Sequence, residues 1–108
     1  MRGGLGIAAI VALLVGSASA AEAQSPAEQR GLSFVRTNCA GCHSIDKVSA
    51  SPLVLAPPFR TLHLKYPVDS LEEALAEGIV TGHPTMPEFR LDPGQVGDVI
   101  AYLKSLER

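Results

Sequence analysis

The run Cys-Ala-Gly-Cys-His at residues 39–43 constrains the fold of this chain more than any other feature of the sequence. In such a run each cysteine can form a thioether bond to a vinyl group of one porphyrin, and the histidine can bind its iron. Cys39 and Cys42 are therefore predicted to attach one haem c, with His43 as the proximal ligand of the iron. A chain bonded to haem at two points must fold around that group.

Three other interpretations of this run stay open, but the rest of the chain offers little of what each of them requires. A redox-active dithiol would need strands that alternate with helices around the motif. A structural zinc site needs four ligands, and beyond the motif only His63 and His83 offer further imidazoles. A disulfide between Cys39 and Cys42 would close a loop too short to stabilise the fold much. Haem is therefore the leading interpretation.

Residues 1–23 have the pattern of a secretory signal peptide: a positive charge, then an apolar stretch, then small residues. Cleavage is predicted after Ala20 or Ala23. The apolar stretch is short for a helix that spans a bilayer, so a retained anchor is the weaker alternative. Export agrees with a haem motif whose thiols must be handled outside the cytoplasm. We therefore predict a periplasmic protein with its functional domain at residues 24–108.

This exported domain of about 85 residues is marginal for a stable hydrophobic core. The chain has no tryptophan, and only three phenylalanines and two tyrosines supply large aromatic area. A buried porphyrin would add apolar mass, and its two thioether bonds would restrict the unfolded chain as a disulfide does. The haem-free form is therefore predicted to be largely unfolded.

The charge of the chain excludes one class of partner. Nine Lys and Arg are outweighed by eleven Asp and Glu, which gives a net charge of −2. A surface without a basic excess is poorly suited to nucleic acid. We expect redox proteins as partners, weak docking to a membrane complex as a further option, and a monomer in solution.

Three helices and no β-strand are predicted, so the fold class is all-α. The first helix covers residues 26–38, begins with a proline and leads into Cys39. The third helix follows Asp92 as its N-cap and again begins with a proline. Its apolar face consists of Val96, Val99, Ile100, Leu103 and Leu106.

The segment between these helices gives weaker signals. Several prolines within residues 44–68 favour an extended loop. A second helix is predicted to begin at Asp69 or Ser70, because each fits a capping box with the glutamate three residues later. It is predicted to end at Gly78, a residue suited to closing a helix.

With these features the chain resembles the class I c-type cytochromes. Besides the haem motif, the resemblance rests on Gly31 and Val35 before it and on residues 56–59, 83–89 and 99–104. It implies the cytochrome c fold, with three main helices and long loops around one covalent haem, and a one-electron carrier rather than an enzyme. In this family the first and last helices cross at a glycine beside an aromatic residue, which Gly31 and Tyr102 match.

Met86 matches the methionine that binds the second axial position of the iron in this family. The resemblance therefore implies that His43 and Met86 are the metal ligands, a pair that favours a high reduction potential and leaves no position for a substrate. His83 and His63 are both expected at the surface. The alternatives are that His83 replaces Met86 on the iron if Met86 is removed, and that His63 contacts a haem propionate.

The resemblance also assigns supporting roles to two residues downstream of the motif. The carbonyl of Pro57 would accept the Nδ1 proton of His43, although the proline that follows leaves the register open. Phe59 would form a wall of the haem pocket, although an aromatic residue that only fills the core would look the same in the sequence. Because the chain has no tryptophan, Arg60 is one of the candidates for contacting a propionate.

The predicted function is that of an exported monohaem c-type cytochrome, a one-electron carrier with His/Met-ligated iron. One alternative is a dedicated electron-transfer subunit of a redox enzyme complex, which would need a large apolar docking patch. The other is a peroxidatic or gas-binding haem protein, which would need Met86 to be detached from the iron.

Overall fold

The computed structural model of the chain describes residues 3–4, 6, 8–14, 16, 23–78 and 85–108. Within these ranges it has three α-helices, α1 (Pro26–Asn38), α2 (Glu72–Glu77) and α3 (Pro93–Ser105), and two short 3-10 helices, Phe59–Leu64 and Val68–Leu71. No strand occurs in these ranges. The all-α prediction is confirmed.

Helix α1 has the predicted bounds. The side chain of Ser25 accepts a hydrogen bond from the backbone N–H of Glu28 at 3.1 Å, and Pro26 stands in the first turn, where an N–H has no partner within the helix. At the other end the backbone N–H of Cys39 donates to the carbonyl of Val35 at 2.8 Å. The helix therefore ends where the haem motif begins.

Helix α3 also begins as predicted, with a complete capping box. The side chain of Asp92 accepts from the backbone N–H of Gln95 at 2.8 Å, and the side chain of Gln95 accepts from the backbone N–H of Asp92 at 3.2 Å. All five residues of the predicted apolar face are buried, at 8% exposure or less. They make up half of the buried residues in the hydrophobic core of the described part.

Helices α1 and α3 cross at Gly31. A Cβ atom at this position would collide with the backbone carbonyl oxygen of Asp98 and lie 2.7 Å from the Cβ of Tyr102. Only glycine permits so close an approach. The crossing that the resemblance implied is therefore present, and it connects the helix that leads into the haem motif to the C-terminal helix.

The predicted start of the second helix is wrong. Neither Asp69 nor Ser70 caps it, because Val68–Leu71 forms a 3-10 turn and α2 begins after that turn without a side-chain cap. The carboxylate of Asp69 instead pairs with Lys104 of α3 at 2.7 Å. A contact with a distant helix has replaced the local capping bond. The predicted end is correct: Gly78 closes α2 with a φ of +94°.

The segment predicted as an extended loop contains a short 3-10 helix, Phe59–Leu64, whose residue Leu62 is buried in the core. Toward the N-terminus, the described residues before Ala23 are exposed and belong to no helix or strand. The cleavage site after Ala20 lies outside the described residues, and the signal peptide stays a prediction. None of the helices in the described part is long and apolar enough to span a bilayer.

Candidate functional site

The Cys-x-x-Cys-His run forms a tight turn at the C-terminal end of α1. The backbone N–H groups of Cys42 and His43 both donate to the carbonyl of Cys39, at 3.2 and 3.0 Å. Cys39 is half-buried, Cys42 is exposed, and no disulfide joins them. Gly41 has open space around its Cβ position. The turn is held by backbone bonds, so both thiols remain available for other chemistry.

A cavity of about 90 Å³ lies against this turn. Cys39, Cys42 and His43 border it on one side, and Met86 borders it from the segment that precedes α3. Its other lining residues include Leu53, Thr85, Pro87 and Phe89. The two predicted axial ligands and both predicted attachment residues therefore border one cavity, although they are far apart in the sequence.

His43 is buried and its ring is held from two directions. Its Nδ1 atom lies 2.8 Å from the carbonyl oxygen of Pro57, and the ring centroid of Phe59 lies 4.8 Å from its own. The carbonyl of Pro58 accepts instead from the backbone N–H of Thr61 at 2.9 Å. The register left open between the two prolines is thus decided for Pro57. A histidine that donates from Nδ1 presents its Nε2 lone pair to a metal.

Phe59 packs against the imidazole and the hydrophobic core. The described cavity is lined by Phe89 rather than by Phe59. The predicted role of Phe59 as a wall of the haem pocket therefore stays a prediction. Phe89, at the end of the family-like stretch around Met86, is an aromatic lining residue that the sequence did not single out.

Arg60 lies in a polar cluster rather than among the residues that line the cavity. Its Nη1 atom donates to the carbonyl of Ser49 at 2.7 Å and to the Oγ of Ser44 at 3.2 Å. Hydrogen bonds from the hydroxyl and backbone N–H of Ser49, and from the backbone N–H of Val48, lower the pKa of Asp46 to about 2. The sequence reasoning missed this cluster, whose only local signal is an aspartate followed by serines.

The structure weakens the alternatives to haem. Burial raises the pKa of the Cys39 thiol to about 11, whereas a redox-active dithiol needs a lowered pKa. In the ranges that the structure describes, no three His, Cys, Asp or Glu side chains are grouped as a metal site would require. His63 is exposed. His83 and Pro84 lie outside those ranges.

An all-α domain that brings a Cys-x-x-Cys-His turn and a methionine to one cavity, and places a proline carbonyl against the ring of the histidine, has the architecture of the class I c-type cytochromes. The family model described as Cytochrome c matches residues 28–107. The chain therefore belongs to the cytochrome c family, and this membership implies haem c as its cofactor.

One curated relative extends the match over almost the whole chain. The chain is similar to a protein named cytochrome c-552 from Bradyrhizobium diazoefficiens, with 31% identity over 101 residues. The matched region covers 94% of this chain and 92% of the relative. No solved structure matches the chain.

The residues of the site fit haem c in their chemistry. Cys39 and Cys42 offer two thiols for thioether bonds, and His43 and Met86 offer a nitrogen and a sulfur to iron from the same cavity.

Proposed function

We propose that this protein is an exported monohaem c-type cytochrome that carries single electrons between other redox proteins. The observation that carries the proposal is the cavity bordered by Cys39, Cys42, His43 and Met86. Bound haem c supplies a one-electron couple between ferric and ferrous iron. The chain itself attaches this group, selects its axial ligands and shields it from water.

In this proposal His43 is the proximal ligand, and its surroundings support that role. The Pro57 carbonyl holds the proton at Nδ1, which orients the ring and makes Nε2 more basic. A more basic imidazole favours the ferric state. Phe59 packs against the ring and limits its rotation.

Met86 is proposed as the second axial ligand. Its thioether sulfur favours ferrous iron and therefore raises the reduction potential. If His43 and Met86 both held the iron, peroxide or a gas could bind only by displacing one of these side chains. Met86 and His43 line the same cavity. This favours the electron carrier over the peroxidatic or gas-binding alternative.

The edge near Cys42 is the proposed route for electrons. Cys42 is exposed, and its carbonyl accepts from the backbone N–H of Leu53 at 3.0 Å. The turn that follows exposes two apolar side chains, Val54 at 92% and Leu55 at 83%. Two exposed apolar side chains suit a brief encounter with a redox partner better than permanent assembly into a larger complex.

The decisive experiment is an absorption spectrum of the purified ferric protein, compared with that of the Met86→Leu variant, which keeps a similar apolar volume. The wild-type protein should show the weak far-red band of a sulfur-to-iron bond, and the variant should lack it. Haem that survives acid and organic extraction would confirm thioether attachment. A high-spin wild-type spectrum would overturn His/Met ligation, and a wild-type protein without bound haem would overturn the whole proposal.

Export has its own test. The protein should appear in the periplasmic fraction, and N-terminal sequencing should find a chain that begins at Ala21 or Gln24. A membrane fraction that retains the full N-terminus would instead support the anchor.

A further inference from the structure

Two segments meet at the proximal histidine, and hydrogen bonds join them at three points. The first bond links Nδ1 of His43 to the carbonyl of Pro57 at 2.8 Å. The second runs from the backbone N–H of Phe59 to the carbonyl of Ser44 at 2.9 Å. The third runs from Nη1 of Arg60 to the Oγ of Ser44 at 3.2 Å. In the last two bonds Ser44 directly follows His43, and Phe59 and Arg60 closely follow Pro57. These two bonds therefore hold the segment that carries the Pro57 carbonyl.

Arg60 extends this connection into the loop that follows the motif. The same Nη1 atom donates to the carbonyls of Ser49 at 2.7 Å and Asp46 at 3.4 Å. The Oγ atoms of Ser44 and Ser49 are 3.0 Å apart. Ser44 is only 3% exposed, so water cannot easily replace Arg60 at that position. One planar guanidinium therefore holds both the loop and the residue next to His43.

The opposite side of the loop is held by other groups. The hydroxyl of Tyr102 in α3 donates to the carbonyl of Ile45 at 2.5 Å, and the Oγ of Ser51 accepts from the backbone N–H of Ser44 at 3.0 Å. These bonds remain if Arg60 is changed. We therefore expect a change at Arg60 to loosen the edge that faces Pro57 while the loop stays on α3.

We propose that Arg60 is a positioning residue for the proximal ligand: by holding Ser44 and Ser49 it keeps the Pro57 carbonyl against Nδ1 of His43 and so sets the basicity of the imidazole. This inference rests on the proposed role of His43 as an iron ligand. A close Nδ1–H···O contact strengthens the ligand and stabilises ferric iron. Loosening that contact should raise the reduction potential.

The charge of Arg60 has the opposite effect, which makes the two contributions separable. A positive charge near the iron disfavours the ferric state, so its removal should lower the potential. Arg60→Lys keeps the charge, but its ammonium ends one bond short of the position from which Nη1 donates to three acceptors, whereas Arg60→Gln loses both the charge and that donor position. The position of Arg60→Lys relative to wild type therefore reports the geometric contribution alone.

The experiment compares wild type, these two variants and Arg30→Lys as a matched control. Arg30 pairs with Asp98 at 3.0 Å where α1 and α3 cross, and it makes no contact with the Arg60 cluster. The measurements are the reduction potential and the exchange rate of the His43 Nδ1 proton in the ferrous, ¹⁵N-labelled protein. Arg60→Lys should raise the reduction potential. It should also speed exchange of the Nδ1 proton about tenfold, as expected for the loss of one or two hydrogen bonds.

Arg60→Gln should speed exchange equally but have a lower potential than Arg60→Lys. Arg30→Lys should leave both quantities at their wild-type values. Ser44→Ala, which removes the acceptor beside His43, should speed exchange less than Arg60→Lys does, and it provides the test if Arg60→Lys fails to mature.

Unchanged exchange in Arg60→Lys, or in Ser44→Ala if it replaces that variant, would overturn the proposal. So would a potential that responds only to the loss of charge in Arg60→Gln, or equally fast exchange in Arg30→Lys. A wild-type spectrum without a sulfur-to-iron band or without covalent haem would count against the proposed function and not against Arg60.

Discussion

His43 and Met86 border the same cavity from segments that are held in different ways. His43 is 7% exposed, it follows a backbone-bonded turn, and it contacts both Pro57 and Phe59. Met86 is partly exposed and lies in a segment that joins the core through Leu91, whose backbone N–H donates to the carbonyl of Leu75 at 2.9 Å. Among the residues that the structure describes, the ion pair nearest to Met86 along the chain joins the exposed side chains of Glu88 and Arg90 at 3.6 Å.

This difference suggests that the two sides of the site have different structural roles. The proximal side is organised by the polypeptide, so its geometry should survive changes at the iron. The distal side lies in a connecting segment, where the contact with the haem is the proposed bond between the Met86 sulfur and iron. Changes on the His43 side should therefore affect folding and attachment, and changes at Met86 should affect the iron and leave the fold in place.

The largest effect is expected from the two cysteines. Cys39→Ala or Cys42→Ala removes one thioether bond, so covalent haem should be strongly reduced and the remaining chain largely unfolded, because the small core depends on the porphyrin. Haem staining after denaturing electrophoresis measures attachment, and circular dichroism measures helix content. Normal amounts of fully bound haem in either variant would contradict the attachment prediction. Native-like helices in a haem-free chain would contradict the folding prediction.

The next largest effect is expected at the helix crossing. Gly31→Ala places a methyl group against the backbone of Asp98, so α1 must shift. We expect the free energy of unfolding to fall by about 1–3 kcal/mol. Gly97→Ala is the matched control: this residue also lies in a helix, but nothing lies within 4 Å of its Cβ position. The control should be stabilised by up to about 1 kcal/mol. Denaturant unfolding of both variants measures the difference, and equal effects would refute the close crossing.

A change at Met86 should act on the iron more than on the fold. Met86→Ala should lower the reduction potential whether water or His83 takes the vacated position, because both favour ferric iron more than thioether sulfur does. Covalent haem and helix content should stay close to wild type. Redox titration and the binding of added imidazole measure the effect. An unchanged potential would show that Met86 is not coordinated, and global unfolding would show that the two sides are not independent.

The smallest effect is expected at Asp46, in the loop beside the proximal side. Hydrogen bonds from Ser49 and Val48 lower its folded-state pKa to about 2, whereas the pKa of an unfolded aspartate is about 3.9. Its contribution to stability is therefore fully present above about pH 4 and is lost as the pH falls toward 2. The difference in unfolding free energy between wild type and Asp46→Asn should shrink over this range. A constant difference from pH 6 to pH 2 would contradict the assignment.

Several features could be predicted because their causes are local. Ser25 and Asp92 each precede a proline and an apolar periodic segment, so the starts of α1 and α3 follow from side chains within one turn. Gly78 ends α2 for a similarly local reason. The start of α2 could not be predicted, because the Asp69 carboxylate could bind either the nearby backbone or a distant side chain. In the structure it pairs with Lys104 of α3 and does not cap α2.

The sequence by itself determined the family, the haem motif, the two long helices and the residues that contact one another at the α1–α3 crossing. Only the tertiary structure decided that the carbonyl of Pro57, and not that of Pro58, meets His43, and that Arg60 holds the loop beside it. The physical reason is that helix caps and apolar periodicity act over a few residues. A proline-rich loop without a period acquires its hydrogen bonds only after the helices on which it rests have packed.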